Sequence, residues 1–418
     1  MIVNKWTLGL AAVGMVSLPK SSQADEKEKM YPIDSVVSAT VLSGYVDTSM
    51  HWNLGTGNNF VPGFAYNTTA KQDGFNLNAV KLALEKPLDE NQWSAGYKAE
   101  LLFGPNAGIL NTTPGLGGST SGNEFAIKQA YVSLRAPVGN GLDFKVGVFD
   151  TVIGYESTDG PNNPNYTRSY GYTIEPTTHT GVLATYQLSD MLGFSFGVAN
   201  SYGPSVGGTG DAFDRANPPK AESRKTYMGS VAFKAPASLG FMEGSTLYAG
   251  AINGFNAGSP ASGGGANQNS YYIGGTIATP LKGLKLGACF DYVDVQPQTG
   301  GIGSRYANAA ALYASFQATE KLSIHGRAEY ASHSRQTGDV NFSTGGVFPS
   351  RVFAYTGTVQ YDLWKNVLSR LEVRWDHAGN GGHPYGGTTV SDGEGGFTST
   401  APSKRNAYLV AANLVYKF

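Results

Sequence analysis

Two segments match the G-x-S-x-G pattern that positions the nucleophilic serine of many hydrolases. They are G-F-S-F-G at residues 193–197 and G-P-S-V-G at residues 203–207. That pattern does chemistry only where a strand, a sharp turn and a helix follow one another. Ser195 lies in the middle of a predicted strand, and no helical pattern follows Gly207. We interpret both segments as chance matches in a glycine-rich chain, and we expect no enzyme activity.

The six histidines and the single cysteine do not form a recognisable metal site. No two histidines have the H-x-x-x-H or H-E-x-x-H spacing that holds zinc on a helix. The one local candidate is Asp376-His377 with His383, for which an ordinary pair at the rim of a strand is the simpler interpretation. Cys289 has no partner for a disulfide bond, and we interpret it as a packing residue. The sequence therefore predicts no metal and no cofactor.

The charged residues form a third pattern, because many alternate with apolar residues along one segment. In residues 366–377 the charged row is Arg370, Glu372, Arg374 and Asp376, and the apolar row is Val367, Leu371, Val373 and Trp375. Residues 141–153 and 320–334 alternate in the same way, and their polar rows include Lys145, Arg327 and Glu329. Each unpaired ion in a dry core would cost several kcal/mol. The pattern predicts strands with one face in water and the other in apolar surroundings.

Composition also favours strands and turns. The 418 residues include 56 glycines, 24 tyrosines and 20 phenylalanines, and only 15% are charged. A typical soluble domain has about 25% charged residues. The net charge of −1 argues against a nucleic-acid-binding protein, which is usually strongly basic. No apolar run reaches the roughly 20 residues that a membrane-spanning helix needs.

The N-terminus has the features of a secretory signal peptide. Lys5 precedes an apolar stretch at residues 6–18, and the small residues Ser22 and Ala24 precede the expected cleavage point. We predict that residues 1–24 are removed and that residues 25–418 form the exported protein. The charged stretch that follows argues against a buried first element.

Sixteen segments alternate as β-strands do, and we expect them to form a single domain. They cover residues 35–54, 73–86, 92–104, 123–137, 141–153, 179–188, 191–202, 224–235, 243–254, 268–279, 284–296, 304–317, 320–334, 350–362, 366–377 and 404–418. The faces of 73–86 and 123–137 are not clear from the pattern.

The connections between these segments alternate between long and short without exception. A soluble sandwich has no reason to keep its long loops at one end, whereas outer-membrane barrels have short periplasmic turns and long external loops. We therefore predict an all-β protein, a transmembrane antiparallel up-and-down β-barrel of about 16 strands. Splitting or merging one pair of segments would give 14 or 18 strands. Lipid would cover the outside, and water would fill the lumen.

The chain resembles Gram-negative outer-membrane porins, and more narrowly the putative β-barrel porin-2, OmpL-like family. The narrower likeness rests on residues 153–156, 165–176 and 179–181. Residues 406–418 alternate aromatic and apolar residues back from a terminal aromatic, and they resemble the signal read by the barrel assembly machinery, with Tyr416 and Phe418 as its aromatic residues. The resemblance implies passive diffusion of small hydrophilic solutes and ions across the outer membrane, and assembly as homotrimers.

The third long connection, residues 154–178, differs from the others in its charges, Glu156, Asp159, Arg168 and Glu175. In general porins the third external loop folds into the lumen and narrows it. We expect the loop acids to face basic residues of the wall, with Arg370, Arg374, Lys145 and Arg327 as the candidates. The lumen-facing Glu329 and Glu372 would flank these basic residues. Arg168 lies on the loop itself and would instead brace it by pairing with a carboxylate of the same loop. The alternative is a solvated external loop.

Two further functions remain open. A substrate-selective channel, for example for oligosaccharides, would line its path with aromatic residues such as Tyr155, Tyr166, Tyr170 and Tyr172. An adhesin would bind a partner through its long last connection. Discrete conductance steps in a planar bilayer would distinguish a channel from an adhesin of smaller bore.

Overall fold

A computed structural model describes residues 40–89, 91, 93–110, 124–200, 202, 224–256, 266–296, 305–334, 347–391 and 397–418. The expected signal peptide at residues 1–24 and the serine motif at residues 203–207 lie outside the described residues. Within these ranges no helix is both long and apolar enough to cross a membrane.

Sixteen antiparallel strands form one closed barrel, in which each strand pairs with its sequence neighbours and the last pairs with the first. The barrel strands are β1 Val41–Asn53, β2 Gly74–Lys86, β3 Ser94–Phe103, β4 Phe125–Ala136, β5 Leu142–Asp150, β6 Thr178–Gln187, β7 Leu192–Ala199, β8 Thr226–Lys234, β9 Thr246–Asn256, β10 Ala266–Ala278, β11 Leu284–Val295, β12 Arg305–Gln317, β13 Leu322–His333, β14 Arg351–Trp364, β15 Val367–Ala378 and β18 Asn406–Lys417. The predicted fold class and the number of strands are confirmed.

The remaining elements are short and belong to the connections. Two three-residue strands, β16 Thr389–Ser391 and β17 Phe397–Ser399, pair with each other before β18. Helix α1 is Pro105–Leu110, and helix α2 is Tyr170–Ile174. Single 3-10 turns are at Thr69–Lys71, Gly160–Asn162 and Ala237–Met242.

The two faces of the strands separate apolar from polar residues, but the charged face of β15 is buried and does not lie in water as the alternation predicted. On β15, Leu371 and Val373 are more than half exposed on the outer face, whereas Glu372 and Arg374 on the inner face are fully buried. Because every strand has two neighbours, no barrel edge is left with unpaired backbone groups, which lipid could not satisfy. The interior is therefore the polar side of the sheet.

Two β-bulges explain why the faces of β2 and β4 were unclear from the sequence. The pairing of β1 with β2 shifts at Asn78, and the pairing of β3 with β4 shifts at Lys128. An extra residue at a bulge interrupts the period of two, so consecutive residues can turn to the same side. Asn78 and Lys128 are both about 1% exposed, and each is followed by another buried residue.

The strict alternation of long and short connections has one exception. The turn at residues 235–245 contains the 3-10 turn Ala237–Met242, and it is longer than the connection between β9 and β10 on the opposite rim. The difference arises because β8 ends one residue earlier and β9 begins three residues later than predicted, while β9 ends two residues later and β10 begins two residues earlier. The other connections keep the predicted order.

Candidate functional site

Residues 151–177, which connect β5 with β6, cross the inside of the barrel to its opposite wall. The carboxylate of Glu372 on β15 accepts hydrogen bonds from the backbone N–H groups of Tyr166 (2.6 Å) and Thr167 (2.9 Å). Arg370, on the same strand, donates to the carbonyl oxygens of Gly160 (3.0 Å) and Asn163 (2.6 Å). The crossing segment is thus held by charge-assisted hydrogen bonds to a strand far from its own ends.

Arginines on β13 and β15 hold the middle of the crossing segment. Arg327 pairs with Glu156 of the segment (2.8 Å) and with Glu329 of its own strand (2.6 Å). Arg374 pairs with Asp376 (2.9 Å) and donates to the carbonyl oxygen of Arg168 (2.7 Å). All these ions are fully or almost fully buried, so each depends on its partners for solvation.

A second ionic cluster lies on a different part of the wall, formed by β2, β3 and β4. Asp159 of the crossing segment pairs with Lys81 (2.7 Å) and lies 3.9 Å from Lys128. Glu100 accepts from Lys81 (2.9 Å), Lys98 (3.1 Å) and Lys128 (3.2 Å). Asp159 therefore contacts lysines of β2 and β4, and its wall partners are not the basic residues that the sequence suggested.

Arg168 braces the crossing segment from within, as expected, but through backbone groups. Its guanidinium donates to the carbonyl oxygens of Ser157 (3.0 Å), Thr158 (2.7 Å) and Tyr166 (3.1 Å). The same group lies over the ring of Tyr66, 5.4 Å from its centroid. The expected carboxylate partner is replaced by three carbonyl groups, which close the segment on itself.

The comparisons with known proteins agree with this geometry. The family model described as "Putative beta-barrel porin-2, OmpL-like" matches residues 40–418, the whole barrel. The chain belongs to this family. It is an outer-membrane porin, a channel for passive diffusion. A comparison with curated proteins gave no match.

Solved structures with a similar fold include a porin and an outer-membrane channel. An anion-selective porin from Comamonas acidovorans is 14% identical, with a TM-score of 0.55, 91% of this chain covered and 99% of that chain covered. The channel DcaP of Acinetobacter baumannii is 12% identical, with a TM-score of 0.54 and coverage of 91% and 97%. OprB of Pseudomonas putida is 11% identical, with a TM-score of 0.54 and coverage of 92% and 96%. At these identities the likeness supports the fold of the porin.

Two of the predicted site residues, Glu175 and Lys145, form no ion pair among the described residues of the porin. Glu175 lies next to Asp291 of β11, another acid, and not next to a basic residue of the wall. Lys145 lies over the ring of Tyr131, 4.9 Å from its centroid, and no ion pair of Lys145 is found among the described residues. Glu156 therefore pairs with one of the expected basic residues, Arg327. Asp159 also pairs with the wall, but with Lys81 and not with a basic residue that the sequence suggested.

The electrostatic setting of the two loop acids differs. Burial alone would raise the pKa of Asp159, but the ammonium groups of Lys128 and Lys81 outweigh it and hold the pKa below its usual value. Burial raises the pKa of Glu175 well above its usual value, and the neighbouring charge of Asp291 raises it further. The lysines therefore favour the ionised form of Asp159, whereas burial and the charge of Asp291 favour the protonated form of Glu175.

Three of the tyrosines singled out in the sequence are held inside the porin by hydrogen bonds. The Tyr170 hydroxyl donates to Asp376 (2.9 Å), the Tyr172 hydroxyl donates to Thr158 (2.9 Å), and Tyr166 shares a bond with Ser49 (2.9 Å). Tyr155 instead stacks on Tyr313, with ring centroids 4.0 Å apart. These tyrosines pack the crossing segment against the wall.

The motifs that resemble catalytic or metal sites have structural partners. Ser195 lies within β7, where its hydroxyl is 3.4 Å from that of Thr185. Asp376 pairs with Arg374, and His377 shares a hydrogen bond with Asn406 (2.7 Å), so this pair is not drawn together around an ion. In the part of the chain that the structure describes, no three His, Cys, Asp or Glu residues are grouped as a metal site.

Sequence reasoning missed the ionic cluster on β2, β3 and β4. Lys81, Lys98, Lys128 and Glu100 were not singled out, and Asp47, which accepts from Asn78 (2.9 Å) and Asn413 (2.6 Å), was also missed. The available signal was the break in alternation at Lys128-Gln129 and Asn78-Ala79. Such a break next to a charged or amide residue indicates a bulge that turns this residue inward.

Proposed function

We propose that the porin passes small hydrophilic solutes and ions through a lumen narrowed by residues 154–178. The residues that define the narrow part would be Glu156, Asp159, Arg168, Glu175, Lys145, Arg327, Glu329, Arg370, Glu372 and Arg374. The observation that carries the proposal is the hold of Glu372 and Arg370 on the backbone of the crossing segment. A sixteen-stranded barrel is wide enough for an aqueous channel unless something fills it.

The open path would run between the crossing segment and the wall of β2 to β5. On the arginine side, the side chains of Arg327 and Arg374 have no exposed surface. On the lysine side, Asp150 is 43% exposed, Glu85 is 42% exposed and Lys98 is 20% exposed. Water therefore reaches charges of both signs on the lysine side, which favours polar solutes over apolar ones.

The burial of the tyrosines favours general diffusion over sugar selectivity. Tyr170 and Tyr172 are at most 4% exposed, so they do not offer their ring faces to a passing solute. Tyr155 remains partly exposed, but its ring is stacked on Tyr313. An aromatic path would need several accessible rings in sequence, and these tyrosines do not provide it.

The composition of residues 1–24 and the aromatic residues of β18 support a proposal for delivery and assembly. We propose that residues 1–24 direct export, that they are cleaved in a Gram-negative cell, and that the barrel assembly machinery reads Tyr416 and Phe418. The outer rows of apolar residues would then meet outer-membrane lipid. A homotrimer is supported by the fold shared with OmpT of Vibrio cholerae, which is described in a trimer form with 11% identity and a TM-score of 0.52.

Planar-bilayer recording of the purified porin tests this function. We expect discrete conductance steps in neutral salt, because a water-filled lumen conducts ions without a carrier cycle. A liposome-swelling assay with sugars of increasing size measures the size limit in parallel. A folded protein that produces neither steps nor swelling would contradict the proposal and favour the adhesin alternative.

A further inference from the structure

The returning end of the crossing segment meets β11 through two carboxyl groups. Glu175 of the segment is 4% exposed, and Asp291 of β11 is 2% exposed. Neither oxygen of Asp291 accepts a hydrogen bond from an N–H or hydroxyl donor of the described residues. The Glu175 carboxyl lies within hydrogen-bonding reach of Asp291, and neither acid has an ion pair with a described lysine or arginine. This is a contact between two acids with no counter-ion.

Two glycines close the space around this pair. A Cβ atom at Gly154 would collide with Oε2 of Glu175, and one at Gly171 would stand 2.5 Å from Oδ2 of Asp291. Gly154 also has a φ of +115°, which only glycine adopts readily. The backbone of the segment thus packs directly against both carboxyl groups.

Two buried carboxylates in contact cannot both be ionised at low cost. Like charges at this range repel strongly where water is excluded, and one proton shared between the groups removes the repulsion. A protonated acid also supplies an O–H donor to the Asp291 oxygens, whose other donor is the thiol of Cys289. In line with this, burial and the neighbouring Asp291 charge raise the pKa of Glu175 well above its usual value.

We propose that Glu175 and Asp291 share one proton at neutral pH, and that this proton positions the returning end of residues 154–178 and thereby sets the bore. Both are positioning residues, because they act on solutes through the crossing segment. The inference rests on the proposed function of that segment. When the pH rises far enough to remove the proton, the two carboxylates repel each other and the end of the segment moves away from β11.

The groups that face the pair do not replace the proton. Glu156 raises the negative potential at both acids, although its own carboxylate pairs with Arg327. The other titratable groups around the pair are neutral thiol and phenol groups, namely Cys289, Tyr155, Tyr202, Tyr272 and Tyr313. No cation approaches from β10, β11 or β12 among the described residues.

The sign of the pH dependence follows from proton linkage. A carboxyl whose pKa is raised on folding binds more protons in the folded state than in the unfolded state. Its contribution to the stability of the folded state is complete below the ordinary carboxyl pKa of about 4.3 and is lost as the pH rises through the raised pKa of the folded state. The hold on the segment therefore weakens at alkaline pH.

Single-channel conductance between about pH 5 and pH 9 tests the proposal, with Glu175→Gln and Asp291→Asn as the variants. The wild-type porin should show an alkaline change in mean conductance or in its fluctuations. Each variant should lose this change, because the amide donates the hydrogen bond at every pH. Asp143→Asn is the control, since Asp143 pairs with Arg135 (2.6 Å) elsewhere in the barrel and its loss should leave the transition in place. A wild-type transition retained in Glu175→Gln would overturn the proposal.

Infrared spectroscopy of the wild-type porin reads the proton without a variant or a channel measurement. A protonated carboxyl band should be present at neutral pH and should disappear on the alkaline side. Its absence at neutral pH would overturn the proposal even if both variants failed to fold. If the band is present while no conductance is found at any pH, the proposed channel function is wrong, whereas the proposal of a shared proton is still supported.

Discussion

At the scale of single residues, the direction of a side chain decides whether it meets lipid or the polar interior. Leu371 and Glu372 are neighbours in sequence, yet Leu371 is 56% exposed on the outer face and Glu372 is fully buried against the crossing segment. Lys128 shows how one extra residue changes that direction, because the bulge turns its ammonium toward Glu100 and Asp150. An ion on the outer face would meet lipid, whereas Glu372 and Lys128 on the inner face each have hydrogen-bond or ionic partners.

We predict that Leu371→Arg lowers the yield of folded barrel, while Glu372→Gln does not. An arginine near the middle of the lipid-facing band costs roughly 2–4 kcal/mol. Glutamine at residue 372 keeps a carbonyl oxygen that accepts from Tyr166 or Thr167, so the barrel should close and only the hold on the segment should weaken. Heat-modifiable mobility on gels measures the folded fraction. An equal loss for both variants would show that the facing of β15 is wrong.

At the scale of elements, β18 closes the barrel against β1. Phe418 donates its backbone N–H to the carbonyl oxygen of Gly44 (3.1 Å), and the N–H of Gly44 donates back to Phe418 (3.0 Å). A Cβ atom at Gly44 would collide with the ring of Phe418, so the terminal aromatic packs directly on the first strand. The last residue therefore contributes both backbone pairing and side-chain packing to the closing strand pair.

Deletion of Phe418 should impair assembly more than the conductance of the molecules that do assemble. The deletion removes the last pair of backbone hydrogen bonds of the closure and the aromatic group of the expected assembly signal. Folded yield in the outer membrane measures the first effect, and single-channel conductance measures the second. Phe418→Tyr, which keeps an aromatic ring, serves as the control and should assemble. A normal folded yield after the deletion would remove the assembly role from this residue.

At the scale of the whole molecule, the charges inside the barrel are divided between two walls. On the wall of β13 to β15, which we call the arginine wall, Arg327, Arg370 and Arg374 are buried. Their N–H groups donate to carboxylates and to backbone carbonyls of the crossing segment. The wall of β2 to β4, which we call the lysine wall, is partly exposed to water and carries both positive and negative side chains. The selectivity of the channel should then depend on the balance of charges near the segment and not on the net charge of the protein.

Neutralising Glu156, Asp159 and Glu175 together should lower the preference for cations, measured as the reversal potential in a salt gradient. Loss of the first two carboxylates leaves Arg327, Lys81 and Lys128 without these partners, and the local potential becomes more positive. Glu175→Gln alone should contribute little at neutral pH, because the proton proposed to be shared with Asp291 already leaves this pair of acids with a single negative charge. Screening beyond roughly 8–10 Å limits the influence of charges on the outer loops. An unchanged reversal potential in the triple variant would place the segment outside the narrow part.

The sequence by itself determined the class of fold, the number of strands and the facing of most of them. The reason is physical: a strand between lipid and a polar interior must alternate at every second residue, as the row Arg370, Glu372 and Arg374 does, although the crossing segment and not water covers this row. The charges of residues 154–178 also marked this connection as different from its neighbours. These are local properties that a single segment displays without its partners.

Only the tertiary structure decided which charges meet. Asp159 lies 78 residues from Lys81 in sequence, and Tyr166 lies 206 residues from Glu372, so no spacing in the chain relates them. The bulges at Asn78 and Lys128 depend on the register of paired strands, which the sequence of one strand does not fix. The contact of Glu175 with Asp291 depends on where a long connection returns to the wall. Closure of the barrel brings these groups together and buries them, so the pKa of Glu175 is raised by burial and by Asp291, while Lys128 and Lys81 lower the pKa of Asp159.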